Sequence, residues 1–462
     1  MVLIDNKTHE RKEGSHMAII PQISMQLWDE IESLGDLERL RLVIEYMPDE
    51  DLMDKLERER KNGRDDYPVR AMWNAVLAGV VFQHISVESL RRELSRNVQL
   101  RYMCGFCGTT RKSRGGKKKV EIVPPAWVFT RFLKKLLERE AEINKIFELL
   151  VEELRELLPG FGKDLAIDSK AISSLSKREN KSEKKDGRRD KDADWGRKEY
   201  RGVREDGTAW EKIVKWFGYK IHLIVDSNYE LPVAYSVTKA SEPDINEAHN
   251  MIDKLKEKRP EILETSETME ADRGYDDTKL IKKTWDEHKI KPVIDIRNMW
   301  KDPDGTRQLE GYENAVYNYK GNVYCYCLET GEKREMAVGG FEEERNTLKK
   351  LCPAKQYGVG CKCIGKCPIK QGIRIKLEEN RRIFTPIDRA SYKWERYYDK
   401  RTSVERVNGR LDESFGFEKH YIRGKGKMTV RCGIALCVML AMAVGRIKEK
   451  QADKMRSLVK SA

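Results

Sequence analysis

The spacing of apolar positions along the chain changes once near residue 162 and again near residue 298. Over residues 18–157 apolar residues recur at helical intervals. Leu37 to Tyr46 (LERLRLVIEY, after Asp36) is one such run. Tyr67-Pro68-Val69-Arg70 opens a second, AMWNAVLAGVVFQHI, with Pro68 near its first turn. Ser86 can cap a third, VESLRRELSRNVQLRYM, and residues 126–157 carry a long amphipathic pattern. From about Gly162 the text shortens into strands. Asp164 to Asp168 (DLAID) is an apolar run ending in an acid, and Phe217 to Val225 and Leu231 to Val237 flank the turn residues Asp226-Ser227-Asn228 as a hairpin. Thr268 to Ala271 leads as a strand to Asp272, and Lys291 to Ile296 forms another, with helical spacing over 245–257 and 280–288. The predicted order is three strands, helix, strand, helix, strand, with acids at strand ends.

Three stretches interrupt this pattern. Residues 177–198 are almost all polar and read as a mobile loop. Residues 298–385 are rich in Gly, Cys and Lys, with short alternating runs such as Ala315 to Tyr324, and read as a Cys-rich, partly β insertion. Helical text resumes at about Thr402. The longest apolar run, Cys432 to Val444, is too short to span a bilayer and reads as a buried helix, so no membrane is expected as a partner. The predicted division is a tag-like or disordered start (1–17, with Gly14-Ser15-His16-Met17), a helical N-terminal DNA-binding domain (18–157), an α/β domain in two parts (160–297 and 386–450) around the insertion, and a tail (451–462).

Charge then narrows the partner. The 462 residues carry a formal net charge of +13, with 36% charged and 39% hydrophobic residues. A chain so basic suits a polyanion, because each cation set against a phosphate releases a counterion; a merely soluble basic protein is the bland alternative. Arg91 and Arg92 lie on the second of two helices joined by a short turn, a pattern shared by DNA-binding units and ordinary bundles. The run Arg111 to Lys119, including Lys117, Lys118 and Lys119, is a basic, glycine-containing loop suited to phosphate. No apolar signal segment opens the chain, so the ten cysteines are expected in a reducing cytoplasm, as free thiols or metal ligands.

Three acids stand in settings that a phosphodiester-cleaving metal site needs. Hard oxygen ligands must converge from separate rigid elements on a pair of divalent ions. Asp168 ends one apolar run, Asp272 ends another before Arg273-Gly274-Tyr275, and Glu405 lies in the helical text SVERVNGRLDESF. Taken singly, an Asp at a strand end is an ordinary turn residue and a Glu among arginines an ordinary ion-pair partner.

The insertion offers different chemistry. Six cysteines fall between Cys325 and Cys367, and Cys352, Cys361, Cys363 and Cys367 are packed into sixteen residues with Gly and Pro turns. These four are candidate ligands of a structural Zn²⁺, against a reading as buried or free thiols. Cys104 and Cys107 read as free thiols, Asp190, Asp192 and Asp194 as solvated acids, and His222 and His249 as structural.

Three segments carry a family resemblance: DLAIDSKAI around Asp168; GYKIHLIVDSNYELPVAYSVTKASEPDINEA with EADRGYDD around Asp272; and YYDKRTSVERVNGRLDESFGF around Glu405. Together they resemble the DDE transposases of bacterial insertion sequences, in the group marked by a Tyr-Arg-Glu-Lys signature. Tyr398, Arg401 and Glu405 match its spacing, whereas Asp412 stands where the signature has Lys. The resemblance implies an RNase H-like catalytic domain with Asp168, Asp272 and Glu405 as the carboxylate triad, holding two Mg²⁺ or Mn²⁺ ions. It implies cleavage at the terminal inverted repeats of a mobile element and joining of the 3′ ends to target DNA, in a homodimeric end-joining complex within a bacterial, nucleoid-associated cytoplasm. Tyr398 and Arg401 would grip terminal phosphates, with Arg410 or Lys419 a substitute for the missing Lys, and Trp300 a candidate to stack on a flipped base. Two other readings stay open: a non-catalytic DNA-binding derivative, and a hydrolytic nuclease of the same fold.

Overall fold

The computed structural model describes residues 35–60, 67–106, 109–112, 118–176, 190–204, 206, 208–302 and 305–457. The helical first part contains α1 (Leu37–Tyr46), α2 (Glu50–Arg60), α3 (Val69–Val81), α4 (Val87–Arg96), α5 (Val98–Cys104), α6 (Ala126–Leu137) and α7 (Glu140–Leu157). Ser86 caps α4 as expected, accepting from the Ser89 amide at 3.1 Å. The single helix expected after it is instead broken at Asn97, whose extended backbone lets its side chain accept from the Leu100 amide at 2.9 Å and start α5. The expected run over 126–157 is likewise two helices, turning at Glu138 and Arg139. Of the run 111–119, expected as a loop, residues 111–112 and 118–119 lie in two paired antiparallel strands, β1 (Thr109–Lys112) and β2 (Lys118–Glu121). Lys117 lies outside the described residues, as do the side chains of Lys118 and Lys119.

The central sheet contains β3 (Asp164–Ser173), β4 (Asp194–Val203), β5 (Ala209–Asp226), β6 (Leu231–Lys239), β7 (Thr268–Ala271) and β8 (Lys291–Ile294). Its order is β4-β5-β3-β7-β8, with β6 on β5. β3 runs antiparallel to β5 and parallel to β7, and β7 parallel to β8. The predicted hairpin is β5–β6, but β5 begins well before Phe217. Its first half is exposed and pairs with β4, while its second half is buried between β3 and β6. Residues 194–198, expected in a mobile loop, are therefore strand. Between β6 and β8 lie α8 (Asp244–Lys258), α9 (Pro260–Thr265) and α10 (Thr278–Lys282).

The chain returns through α12 (Tyr392–Asp399), α13 (Thr402–Phe415) and α14 (Lys425–Lys448); helix thus resumes earlier than Thr402. α14 is long and apolar enough to cross a membrane, yet 89% of its apolar stretch is buried within the fold, against α1, α7 and β6. Small residues allow that fit: a Cβ on Gly433 would stand 2.5 Å from the Tyr235 hydroxyl, and one on Gly445 2.7 Å from the Tyr46 ring. One contiguous apolar core runs from the amino-terminal helices through α14 to the central sheet.

The insertion has a smaller core of its own. It holds a sheet of order β12-β11-β10-β9 (Lys333–Glu335, Val323–Tyr326, Ala315–Tyr317, Arg307–Gln308) and a sheet of order β13-β14-β15 (Ala337–Glu342, Thr347–Leu351, Gly372–Lys376). A short helix, α11 (Pro353–Tyr357), follows β14. Both stems are pinned to the central domain. Asp276 accepts from the Arg297 amide at 2.7 Å and from Arg382 at 2.6 Å, and the buried Arg389 guanidinium donates to the Ile294 carbonyl. A fully buried ion pair, Lys350–Asp388 at 2.7 Å, ties β14 to the exit stem.

Asp190 was expected to be solvated; it is buried. It accepts from Ser174 Oγ at 2.6 Å, from the Gly424 and Asp192 amides at 2.9 and 3.1 Å, and from the Tyr219 hydroxyl. It thus joins the end of β3, the strand β5 and the start of α14. Burial acts to raise its carboxyl, but the hydrogen bonds from Ser174, Tyr219 and the two amides outweigh burial and hold it below the ordinary range. An acid held low contributes stability above its unfolded pKa and loses it as pH falls through the lower folded value. Asp190→Ala should cost about 2–3 kcal/mol at neutral pH, and its deficit against wild type should shrink below about pH 3.9. Urea unfolding at pH 7 and pH 3 reads this; an equal deficit at both would show that the ionised carboxylate is not what matters.

Candidate active site

The parallel pairing of β3 and β7 sets the first two acids side by side. Ile167 pairs with Ala271, so Asp168 and Asp272 are the next residues on neighbouring strands, which lie about 4.8 Å apart. Asp168 Oδ1 accepts from the Ser169 amide at 2.7 Å, and Asp272 Oδ1 from the Gly274 amide at 2.7 Å. The second contact requires glycine: a Cβ on Gly274 would fall 2.6 Å from Asp272 Oδ1. Burial pushes the Asp168 carboxyl up to about 6; Lys198 draws it down and the neighbouring Asp272 raises it. Two carboxylates so placed lack a full counter-charge, and a divalent cation on their hard oxygens would supply one.

Glu405 lies on α13, which packs across β3 and β5, but its carboxylate does not group with those of Asp168 and Asp272 within 4.8 Å. Its side chain is half exposed and accepts from Arg401 Nη1 at 2.5 Å. Arg401 is also close enough to Asp168 to lower its carboxyl, so the guanidinium links Glu405 electrostatically to the strand pair. Arg401 further lies over the Tyr398 ring, 5.5 Å from its centroid. Burial pushes the Tyr398 phenol up, and the charges of Asp295 and Asp272 add to this while Arg401 opposes it.

Several contributing residues escape a reading by sequence. Trp394 stacks on Tyr398 with ring centroids 4.8 Å apart and planes inclined by 12°, and Arg389 lies over Trp394 at 5.7 Å. The two rings are four residues apart on α12, the spacing of neighbours on one helix face. Lys400 bonds Asp164 Oδ2 at 2.6 Å and Asn228 Oδ1 at 3.0 Å, docking the α12–α13 junction on the start of β3. Lys170 forms an ion pair with Asp412. Strand alternation places Lys170 on the face of Asp168, and two helical turns separate Asp412 from Glu405. A cation from β3 thus meets α13 at Asp412.

The remaining candidates are more dispersed. Arg410 lies about 140° round α13 from Glu405, nearly buried, donating to the Glu230 carbonyl and facing the Glu230 carboxylate at 3.8 Å. Lys419 is exposed. Arg91 is held by the Pro124 carbonyl at 2.8 Å and by Glu88 at 2.7 Å, while Arg92 is exposed. Trp300, partly buried against the insertion's core, packs edge-on on Tyr317 at 6.0 Å, with Arg307 over its ring at 4.4 Å. Of the four expected zinc ligands, Cys361 and Cys363 group with Cys327, their sulfurs all within 4.8 Å of one another; Cys352 and Cys367 line the same cavity outside that group.

Comparison with known proteins identifies the family of the chain. The family model described as a transposase DDE domain matches residues 159–441, more than half the chain, and a second transposase-domain model matches residues 25–113. No curated protein sequence matches. Among solved structures, the cryo-EM structure of the piggyBac transposase synaptic complex with hairpin DNA is similar over 93% of this chain and 86% of that one, at 11% identity and a TM-score of 0.28.

The Lys170–Asp412 pair is mostly buried, with side chains 15% and 24% exposed. Removing one partner strands the other charge. Lys170→Met or Asp412→Leu alone should cost about 2 kcal/mol or more, and the double substitution should recover most of that loss. Chemical denaturation of the three variants measures the coupling; additive losses would show that the pair does not join α13 to β3.

Proposed function

The chain belongs to the transposase DDE-domain family, and from that premise we propose that it binds the ends of an insertion sequence, cleaves them and joins the 3′ ends to target DNA. Family membership makes it a DNA-cleaving enzyme. The observation that carries the finer reading is the β3–β7 register, which sets Asp168 beside Asp272 below a helix bearing Glu405. The order β6-β5-β3-β7-β8, with β3, β7 and β8 parallel, supports an RNase H-like catalytic domain.

The donor set suits Mg²⁺ or Mn²⁺, since all three groups are carboxylates and the Asp168 carboxyl is raised by burial and then by the neighbouring Asp272. Asp168, Asp272 and Glu405 would hold the two ions, which when bound supply Lewis acidity to the attacking and leaving oxygens of the phosphodiester. The chain's own groups position the DNA. Arg401, held between Glu405 and Tyr398, can turn its planar fork from the carboxylate to a terminal phosphate, an acceptor of like charge. Tyr398 is fixed by its stack on Trp394 and offers its hydroxyl at the same place. Lys400 and Lys198 brace β3 at its start and its middle, through Asp164 and the Ser169 carbonyl, so Asp168 sits on a restrained strand. Joining two ends calls for two copies of the site, and hence a homodimer in the working complex.

The test is a strand-transfer assay with duplexes carrying the ends of the element that encodes this chain, with the strand to be transferred labelled at its 5′ end. In Mg²⁺ or Mn²⁺ the wild type should yield both cut and joined product. Asp168→Asn, Asp272→Asn and Glu405→Gln should each reduce cleavage by about a hundredfold or more while DNA binding persists. Near-wild-type cleavage by any of the three would remove that acid from the site. Cuts without joined product would identify a hydrolytic nuclease, and binding without cuts by the wild type a non-catalytic derivative. Arg401→Ala should weaken end processing and reduce the salt dependence of binding by about one phosphate contact; unchanged processing would end the role given to Arg401.

A further inference from the structure

We infer that the insertion carries a thiolate site for Zn²⁺ built on Cys327, Cys361 and Cys363, which staples the excursion between β14 and β15 to the hairpin β11–β12. The three sulfurs come from two separate places in the chain. Cys327 follows β11 at the hairpin turn, where its amide bonds the Glu332 carbonyl at 3.0 Å and its carbonyl accepts from the Gly331 amide at 2.7 Å. Cys361 and Cys363 belong to the excursion, with sulfurs 3.4 Å apart. Turns fix both: the Cys361 carbonyl accepts from the Ile364 amide at 3.2 Å, and the Cys363 carbonyl from the Lys366 and Cys367 amides at 3.0 Å each.

The geometry is near what zinc takes. A tetrahedral site with Zn–S bonds of about 2.3 Å has sulfurs about 3.8 Å apart. The three sulfurs lie within 4.8 Å of one another, so closure asks for movements of about 1 Å at most. The fourth position has ready occupants. Cys325, Cys352 and Cys367 line the same cavity of about 340 Å³, and all six thiols are unpaired. Arg334, paired with Glu332 at 2.5 Å, also lines it, and Lys355 and Lys370 there offset the negative charge that four thiolates leave on a divalent ion. Soft thiolates select zinc over the hard ions suited to the carboxylates, so this site is chemically separate from the candidate active site.

The fold supplies a reason for such a staple. Residues 353–370 contain only α11 and turns, and the Cys352 amide bonding the Gln371 carbonyl at 3.0 Å closes their base. The insertion's apolar core is small, and small cores commonly rely on a metal or disulfide to hold their loops.

The test uses the full chain, purified under reducing conditions and analysed by elemental mass spectrometry. About one zinc per chain is expected. Cobalt exchange should give the thiolate-to-metal charge-transfer and tetrahedral d–d bands of a sulfur-rich site. Joint substitution Cys327→Ser with Cys363→Ser should remove nearly all of the metal. A strong chelator acting on the wild type should open residues 353–370 to limited proteolysis while β3 to β8 stay resistant. This last readout needs no variant to fold. Wild-type chain that holds no zinc as purified and shows no cobalt bands on titration would overturn the inference. So would iron–sulfur absorption, or zinc retained in full by the double variant. None of these readouts depends on DNA cleavage, so the zinc site stands or falls apart from the proposed function.

Discussion

The arrangement rests on one pairing of backbones, the parallel ladder between β3 and β7. A parallel pair cannot be closed by a tight turn, so the chain must travel through β5, β6, α8 and α9 before β7 comes home beside β3. Once it does, register leaves no freedom: with Ile167 opposite Ala271, the residues that follow are both aspartates. A slip of one residue would turn one of them to the other face of the sheet. The buried side chains of Leu165, Ala166, Ile167, Met269 and Ala271 hold the register, because each is fitted to close-packed neighbours that any other register would exchange.

The second constraint is α14, the spine on which the two parts of the molecule meet. Its Cys, Ala, Gly and Met residues are buried nearly all round, and it touches α1, α7 and β6. A helix apolar on every side needs partners on every side. The amino-terminal helices and the central sheet supply those partners together, and this is why their core is continuous. The helical part is therefore coupled mechanically to the sheet that carries the acids.

Much of this was legible in the chain because burial imposes pattern. β3, β7 and the second half of β5 are covered on both faces and read as apolar runs, and Asp168 and Asp272 stood out as the acids ending two of them. The first half of β5 and its partner β4 were missed because an exposed ribbon has no buried face to impose a period. The break at Asn97 was hidden within an amphipathic stretch, where a capping side chain looks like any polar residue. Asp190 passed for a solvated acid because its donors, Ser174, Tyr219 and Gly424, are brought to it only by the tertiary fold. The same holds for Cys327, which lies far from Cys361 in the chain and beside it in space. Lys170 was accessible in principle, since strand alternation alone sets it on the Asp168 face.

The pinned stems of the insertion bear on how such a protein can change over generations. Arg297 and Arg382 meet at Asp276, and Arg389 reaches back to the Ile294 carbonyl, so the polypeptide leaves and re-enters the central domain at one spot. Once that doorway is fixed, what lies beyond it can grow, shrink or be recast with little penalty, because doubling a loop adds only about 0.6 kcal/mol of closure entropy. New nucleic-acid or protein contacts can therefore be tried there by natural variation while the geometry of the acids is left undisturbed.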